Sequence, residues 1–230
     1  MRFFLAISLL CCYFCCQAQQ KYALIVAIAD YPKESGWNSI HSDNDLQLLV
    51  PQFKRLGFQI NTLIDKQATK KNITQDLQDL IRQLNPGDDV CLHFSCHGQQ
   101  MEDDNGDEAD GLDEALIPYD ARKTFQKGIY EGEKHLRDDE LEKYLTCIRQ
   151  KTGANGSVLV TFDACHSGTA NRIEEYVEDE DAPIRGTNVI FTSNPFYIAP
   201  DAKHIQRKNR LMQQSGFAWC DGYSESLLQQ

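Results

Sequence analysis

The apolar residues of this chain fall into short runs with two different spacings. "KYALIVAIADY" at 21–31 is β-rich and nearly continuous in apolar residues, the pattern of a strand buried on both faces of a parallel sheet. "FQINTLID" at 58–65, "VCLHFS" at 90–95, "SVLVTF" at 157–162 and "TNVIFTS" at 187–193 predict four further strands. Between them the spacing changes to three and four. Ile73, Leu77, Leu80, Ile81 and Leu84 share one side of a helix over 70–84, and a second helix over 138–151 is stopped by the glycines of "TGANG". "SDNDLQLLVPQFKRLG" predicts a helix with Ser42 as its N-cap, with Pro51 kinking or shortening it. Residues 99–135 follow neither spacing and read as a polar, acidic, irregular stretch.

Strands alternating with helices predict an α/β fold with a mainly parallel sheet and helices on both faces. Sites in such sheets gather at the carboxyl ends of strands. Two segments at such ends carry chemistry: "SCHG" after the third strand and "DACHSG" after the fourth.

The N-terminus changes the picture of where the protein works. "MRFFLAISLLCCYFCCQA" has one charge, an apolar run too short for a comfortable membrane span, and small residues at −3 and −1 of a cleavage site after Ala18. Residues 1–18 read as a signal peptide, which makes the protein secreted or periplasmic; an uncleaved anchor, or lipidation on one of the four cysteines, is the alternative. Residues 19–230 form one domain, and no later stretch is apolar and long enough to span a bilayer. The net charge of −11 argues against nucleic acid as a partner, because phosphate binding wants clustered Lys and Arg. Beyond residue 18 the cysteines are Cys91, Cys96, Cys147, Cys165 and Cys220. An odd count in an exported protein leaves one thiol unpaired or paired with another chain.

A cysteine nucleophile needs a thiolate, and a free thiol with a pKa near ~8.5 is mostly protonated at neutral pH. A histidine close in the fold takes the proton. His97 ends one predicted strand and Cys165 follows the next. If those strands are neighbours, the two side chains face each other across a cleft. Gly98 lets backbone approach a substrate carbonyl and offers an N–H to an oxyanion, and the N–H of Cys165 is a second donor. Either residue alone is more often packing; both, at matched strand ends with glycines behind them, point to catalysis. Zinc is the rival reading of "CLHFSCH". Strand alternation separates its ligands, with Cys91, His93, Ser95 and His97 on one face and Cys96 on the other.

"FSCHG" and "DACHSG" on such strands resemble the caspase-like cysteine peptidases (peptidase C14), most of all the metacaspase branch. The resemblance covers most of residues 21–193. It implies a three-layer caspase-haemoglobinase sandwich and a catalytic dyad of His97 and Cys165. It also implies that Asp163, and Asp45 in "HSDNDLQLL", form an acidic S1 pocket. A carboxylate attracts Arg or Lys and repels Asp, so cleavage after a basic residue is expected, on a protein or peptide substrate. No cofactor is required by this reading. The loop 102–114 fails the EF-hand pattern. The resemblance does offer a calcium site elsewhere, with Asp138-Asp139 as one ligand pair, but Arg172 stands where a further ligand belongs. The family's chain usually runs further than Gln230. The alternative function is therefore a catalytically weak caspase-like domain that binds or regulates. A redox thiol protein is a third reading, weakened because residues 19–230 contain no C-x-x-C.

Overall fold

The computed structural model describes residues 19–106, 108, 111–164 and 191–193. Four parallel strands form the main sheet: β1 (Lys21–Ala27), β2 (Gln59–Ile64), β3 (Asp89–Ser95) and β7 (Val158–Asp163), in the order β2-β1-β3-β7. Helix α1 (Asp43–Arg55) connects β1 to β2. Helix α2 (Lys70–Gln83) connects β2 to β3, and α3 (Asp138–Thr152) leads into β7. The strand order reverses direction after β2. Right-handed crossovers therefore put α1 on one face and α2 with α3 on the other. The packing agrees: α2 touches α3 and β1, whereas α1 touches β1 and β2.

The two faces are filled differently. Leu24, Val26, Val90, Leu92, Phe94, Val160 and Phe162 point toward α2 and α3 and meet Ile73, Leu77, Leu80, Leu141, Leu145 and Ile148 in one core. The Phe94 and Phe162 rings stack with centroids 5.5 Å apart. Alternation turns Ile25, His93, Ser95, Thr161 and Asp163 to the α1 face. Helix α1 buries no residue fully and leaves Leu48 and Leu56 exposed.

The helices predicted at 70–84 and 138–151 and the strands at 58–65, 90–95 and 157–162 appear within a residue or two of those bounds. Thr69 caps α2, accepting from the Asn72 N–H, and Gly153 closes α3 at φ 66°. Helix α1 runs through Pro51 to Arg55 and is not shortened there. Proline removes a single donor from the ladder, and the turn beyond it is secured by Leu56 N–H to the Gln52 carbonyl at 2.9 Å. Ser42 is the N-cap residue, but its side chain makes no capping bond to the helix.

Strand β1 ends at Ala27, earlier than the 21–31 run predicts. The chain turns away because the Asp65 carboxylate accepts from the Ala29 and Asp30 N–H groups, at 2.8 and 3.1 Å. The larger correction concerns 99–135. This stretch contains most of β4 (His97–Glu102) and all of β5 (Leu112–Ile117); β5 pairs antiparallel with both β4 and β6 (Leu136–Arg137) in a second sheet, β4-β5-β6. Its strands bury Gln99, Gln100 and Asp113, so no apolar alternation announces them. The strand predicted at 187–193 lies outside the described residues except at its end, where Phe191 bridges Met101 of β4 in parallel.

Candidate active site

Strands β3 and β7 are neighbours, and Ser95 pairs with Asp163 at their carboxyl ends. From Ser95 the chain passes through the buried Cys96, whose N–H reaches the Asp163 carbonyl at 3.3 Å, and then enters β4. His97 is therefore the first residue of β4 and does not end β3. Cys165 lies two positions beyond Asp163, outside the described residues.

His97 is held from several sides. Its Nε2–H donates to the Asn38 carbonyl at 2.8 Å. A carbonyl only accepts, so the proton of the neutral ring is on Nε2 and the lone pair is on Nδ1. The ring stacks on Trp37 at 4.7 Å between centroids, with Tyr31 at 5.1 Å. The Tyr31 hydroxyl accepts from the His97 N–H at 3.1 Å and donates to the Ile117 carbonyl at 2.8 Å. Asn38, Tyr31 and Trp37 all come from the segment between β1 and α1, the one that Asp65 turns. Gly98 follows in β4, buried and opposite Leu116.

A buried relay backs this corner. The Tyr130 hydroxyl donates to His135 Nδ1 at 2.8 Å, His135 Nε2–H to Gln99 Oε1 at 2.9 Å, and Gln99 Nε2–H to the Lys123 carbonyl at 3.0 Å. Burial pushes the His135 pKa down to about 3, with the nearby Arg137 and Lys70 charges adding to the fall, so the ring is neutral at ordinary pH.

Asp45 is not a solvated first-turn acid. Its side chain is 12% exposed, and one carboxylate oxygen lies 3.3 Å from His93 Nε2. His93 Nδ1 lies 2.8 Å from the Thr161 hydroxyl, two residues before Asp163 on β7. Asp45 and Asp163 thus belong to the same face of the sheet, Asp163 two residues beyond the Thr161 that contacts His93. Sequence reasoning did not give His93 a role. Alternation already turned it to the face of Ser95, but nothing along the chain pairs it with a residue 48 positions away.

The zinc reading gains no support. Among the described residues no three His, Cys, Asp or Glu side chains converge as ligands. Cys91 and Cys147 are free thiols, and burial pushes the Cys91 thiol up to about 12, as suits a packed residue. The loop around Asp103 is organised by its own backbone, since the Asp103 carboxylate accepts from the Asn105, Gly106 and Glu108 N–H groups. The acidic patch beside it already holds a cation. Arg137 donates to the buried Asp113 carboxylate and to the Glu102 carbonyl, and its Nε lies 3.4 Å from Asp104. Burial raises the Asp113 pKa to about 6 against the pull of Arg137. Asp139 takes a bond from the Asn105 side chain. Arg137 thus occupies the patch formed by Asp104, Asp113 and the Glu102 carbonyl, immediately before the Asp138-Asp139 pair. Arg172 lies outside the described residues.

A cavity of about 150 Å³ between β1, β2 and α2, lined by Tyr22, Asn61, Asp76 and Leu80 among others, touches none of these groups. No helix among the described residues is long and apolar enough to cross a membrane.

Comparison with known proteins agrees with this architecture. A crystal structure of protein GSU0716 from Geobacter sulfurreducens superposes with a TM-score of 0.53 at 25% identity, covering 85% of this chain and 65% of that one. Metacaspase-2 of Arabidopsis thaliana is 30% identical over 91% of this chain and 51% of its own length. Metacaspase-1B of Neurospora crassa is 36% identical over 45% of this chain and 22% of its own. The chain thus spans about half the length of the first of these relatives and less of the second. Residues 48–174, more than half of the chain, match the family described as metacaspase, peptidase C14 domain. With a caspase-like α/β fold and that match, the chain belongs to the metacaspase family of cysteine peptidases.

Proposed function

We propose that the protein is a cysteine endopeptidase that cleaves after Arg or Lys with a dyad of His97 and Cys165. The observation that carries the reading is the β3–β7 pairing. With Ser95 opposite Asp163, the next residues of both strands leave the sheet at the same end. His97 suits the base because its Nε2 proton is committed to the Asn38 carbonyl, which makes Nδ1 the nitrogen that can take a proton. The Cys165 thiol gives that proton to Nδ1, and the thiolate sulfur attacks the scissile carbonyl carbon. The resulting oxyanion receives the N–H groups of Gly98 and Cys165. His97 returns the proton to the leaving amine as the C–N bond breaks. Water, losing a proton to His97, then hydrolyses the thioester and restores the thiol.

Asp163 and Asp45 bind the basic P1 side chain of a protein or peptide substrate. Both lie on the α1 face, Asp163 by strand alternation and Asp45 through its contact with His93. No step of this mechanism is assigned to calcium. Residues 1–18 act as a cleaved signal peptide, so the enzyme works outside the cytoplasm; sequencing the secreted chain should begin at Gln19.

The test is peptide hydrolysis with Arg, Lys or Asp at P1, with and without calcium, beside Cys165→Ala. Turnover of the Arg and Lys peptides, lost in the variant, is expected. Turnover that persists without Cys165 rejects the dyad. Preference for Asp rejects the acidic pocket. No turnover of any peptide leaves the chain a binding or regulatory domain.

A further inference from the structure

We infer that His93 and Thr161 set the P1 specificity by fixing where the Asp45 carboxylate points; this rests on the reading of Asp45 as part of an acidic P1 pocket. The carboxylate can only accept, so the His93 nitrogen that faces it, Nε2, must carry a proton. Imidazole has two neutral tautomers, and only one of them offers Nε2–H to Asp45. The Thr161 hydroxyl at 2.8 Å selects it, because it donates to Nδ1 and leaves the proton on Nε2. The Leu92 carbonyl, the competing acceptor for that hydroxyl, is further off at 3.4 Å.

The setting makes this contact matter. The His93 and Asp45 side chains are 9% and 12% exposed, so water offers little substitute for a lost donor. Asp45 comes from the first turn of α1, a helix with no fully buried residue to hold it down. The flanking strand residue on the other side, Ile25, offers no polar group to the His93 ring. His93 thus ties the pocket end of α1 to the sheet through a side chain. It is a positioning residue, since it meets the substrate only through Asp45.

The test compares His93→Phe, His93→Gln and Thr161→Val with Asp45→Asn, using Arg-P1 and norleucine-P1 peptides. For His93→Phe the KM for the Arg peptide should rise about tenfold, the scale of one lost hydrogen bond to a charged group, with little change in kcat. The norleucine peptide should be affected much less. His93→Gln, whose amide can donate in the place of Nε2–H, should recover part of the loss. Thr161→Val should reproduce it in weaker form. Alkylation of Cys165 by iodoacetamide, which has no P1 group, should keep its rate in His93→Phe, His93→Gln and Thr161→Val, which separates misfolding from mispositioning. Equal losses on both peptides, or no recovery with Gln, would overturn the role of His93. If Asp45→Asn itself leaves the Arg preference intact, the acidic-pocket reading fails instead, whatever His93 does.

Discussion

The two faces of the parallel sheet are built from the same strands and do opposite jobs. Toward α2 and α3, the alternate residues of β1, β3 and β7 are large aliphatic or aromatic side chains packed into a single core. Toward α1, the same strands carry His93, Ser95, Thr161 and Asp163, and the covering helix buries nothing completely. A close-packed face fixes the backbone to within fractions of an ångström but tolerates no polar group without a partner. A half-covered face can keep charge and admit a substrate, provided something else holds it rigid. Here the rigidity of the second face is borrowed from the first, one residue away along each strand.

If that division holds, damage to the packed face should read out as stability and damage to the other as activity. The largest stability effect is expected from Leu92→Ala, in the centre of β3. It should cost about 3 kcal/mol by leaving a cavity between α2, α3 and the sheet, measured by denaturant unfolding. Asp163→Asn, on the opposite face, should lower kcat/KM for an Arg-P1 peptide about a hundredfold. Its unfolding midpoint should stay close to the parent's, and a matching loss of stability would erase the distinction between the faces.

The corner behind β4 gives a pH test. Burial holds the His135 pKa at about 3 against an ordinary 6.5, so between those values the unfolded chain binds more protons than the folded one. The contribution of the neutral ring is full above about 6.5 and is lost as pH falls toward 3. His135→Gln should therefore lose stability less steeply than the parent between pH 6 and pH 4 in chemical denaturation. A slope equal to the parent's would mean that the ring titrates normally. The smallest effect is expected from Leu159→Thr. Leu159 is 45% exposed on the α1 face, and the change should stay within about 0.5 kcal/mol.

Most of the parallel sheet was legible along the chain because its helices and strands obey one-dimensional rules. Ile73, Leu77 and Leu80 repeat at helical spacing, and "SVLVTF" and "VCLHFS" are apolar runs bounded by turn residues. The second sheet was not legible. Gln99 and Asp113 are buried there because His135, Lys123 and Arg137 supply partners from distant positions, so burial is uncoupled from hydropathy. Pro51 misled for a related reason. Its local cost is real, but a helix that still has a full turn to complete beyond it absorbs the loss of one donor.

The site divides in the same way. From the sequence alone came the candidate residues: His97, Gly98, Asp163, Cys165 and Asp45. Those are matters of residue type and short spacing, which any local pattern preserves. Only the tertiary structure decided that His97 opens a new strand, that its Nε2–H is taken by the Asn38 carbonyl, and that Asp45 rests on His93. The last two are hydrogen bonds between groups some 50 residues apart, and their direction depends on which atom faces which partner once the chain has closed.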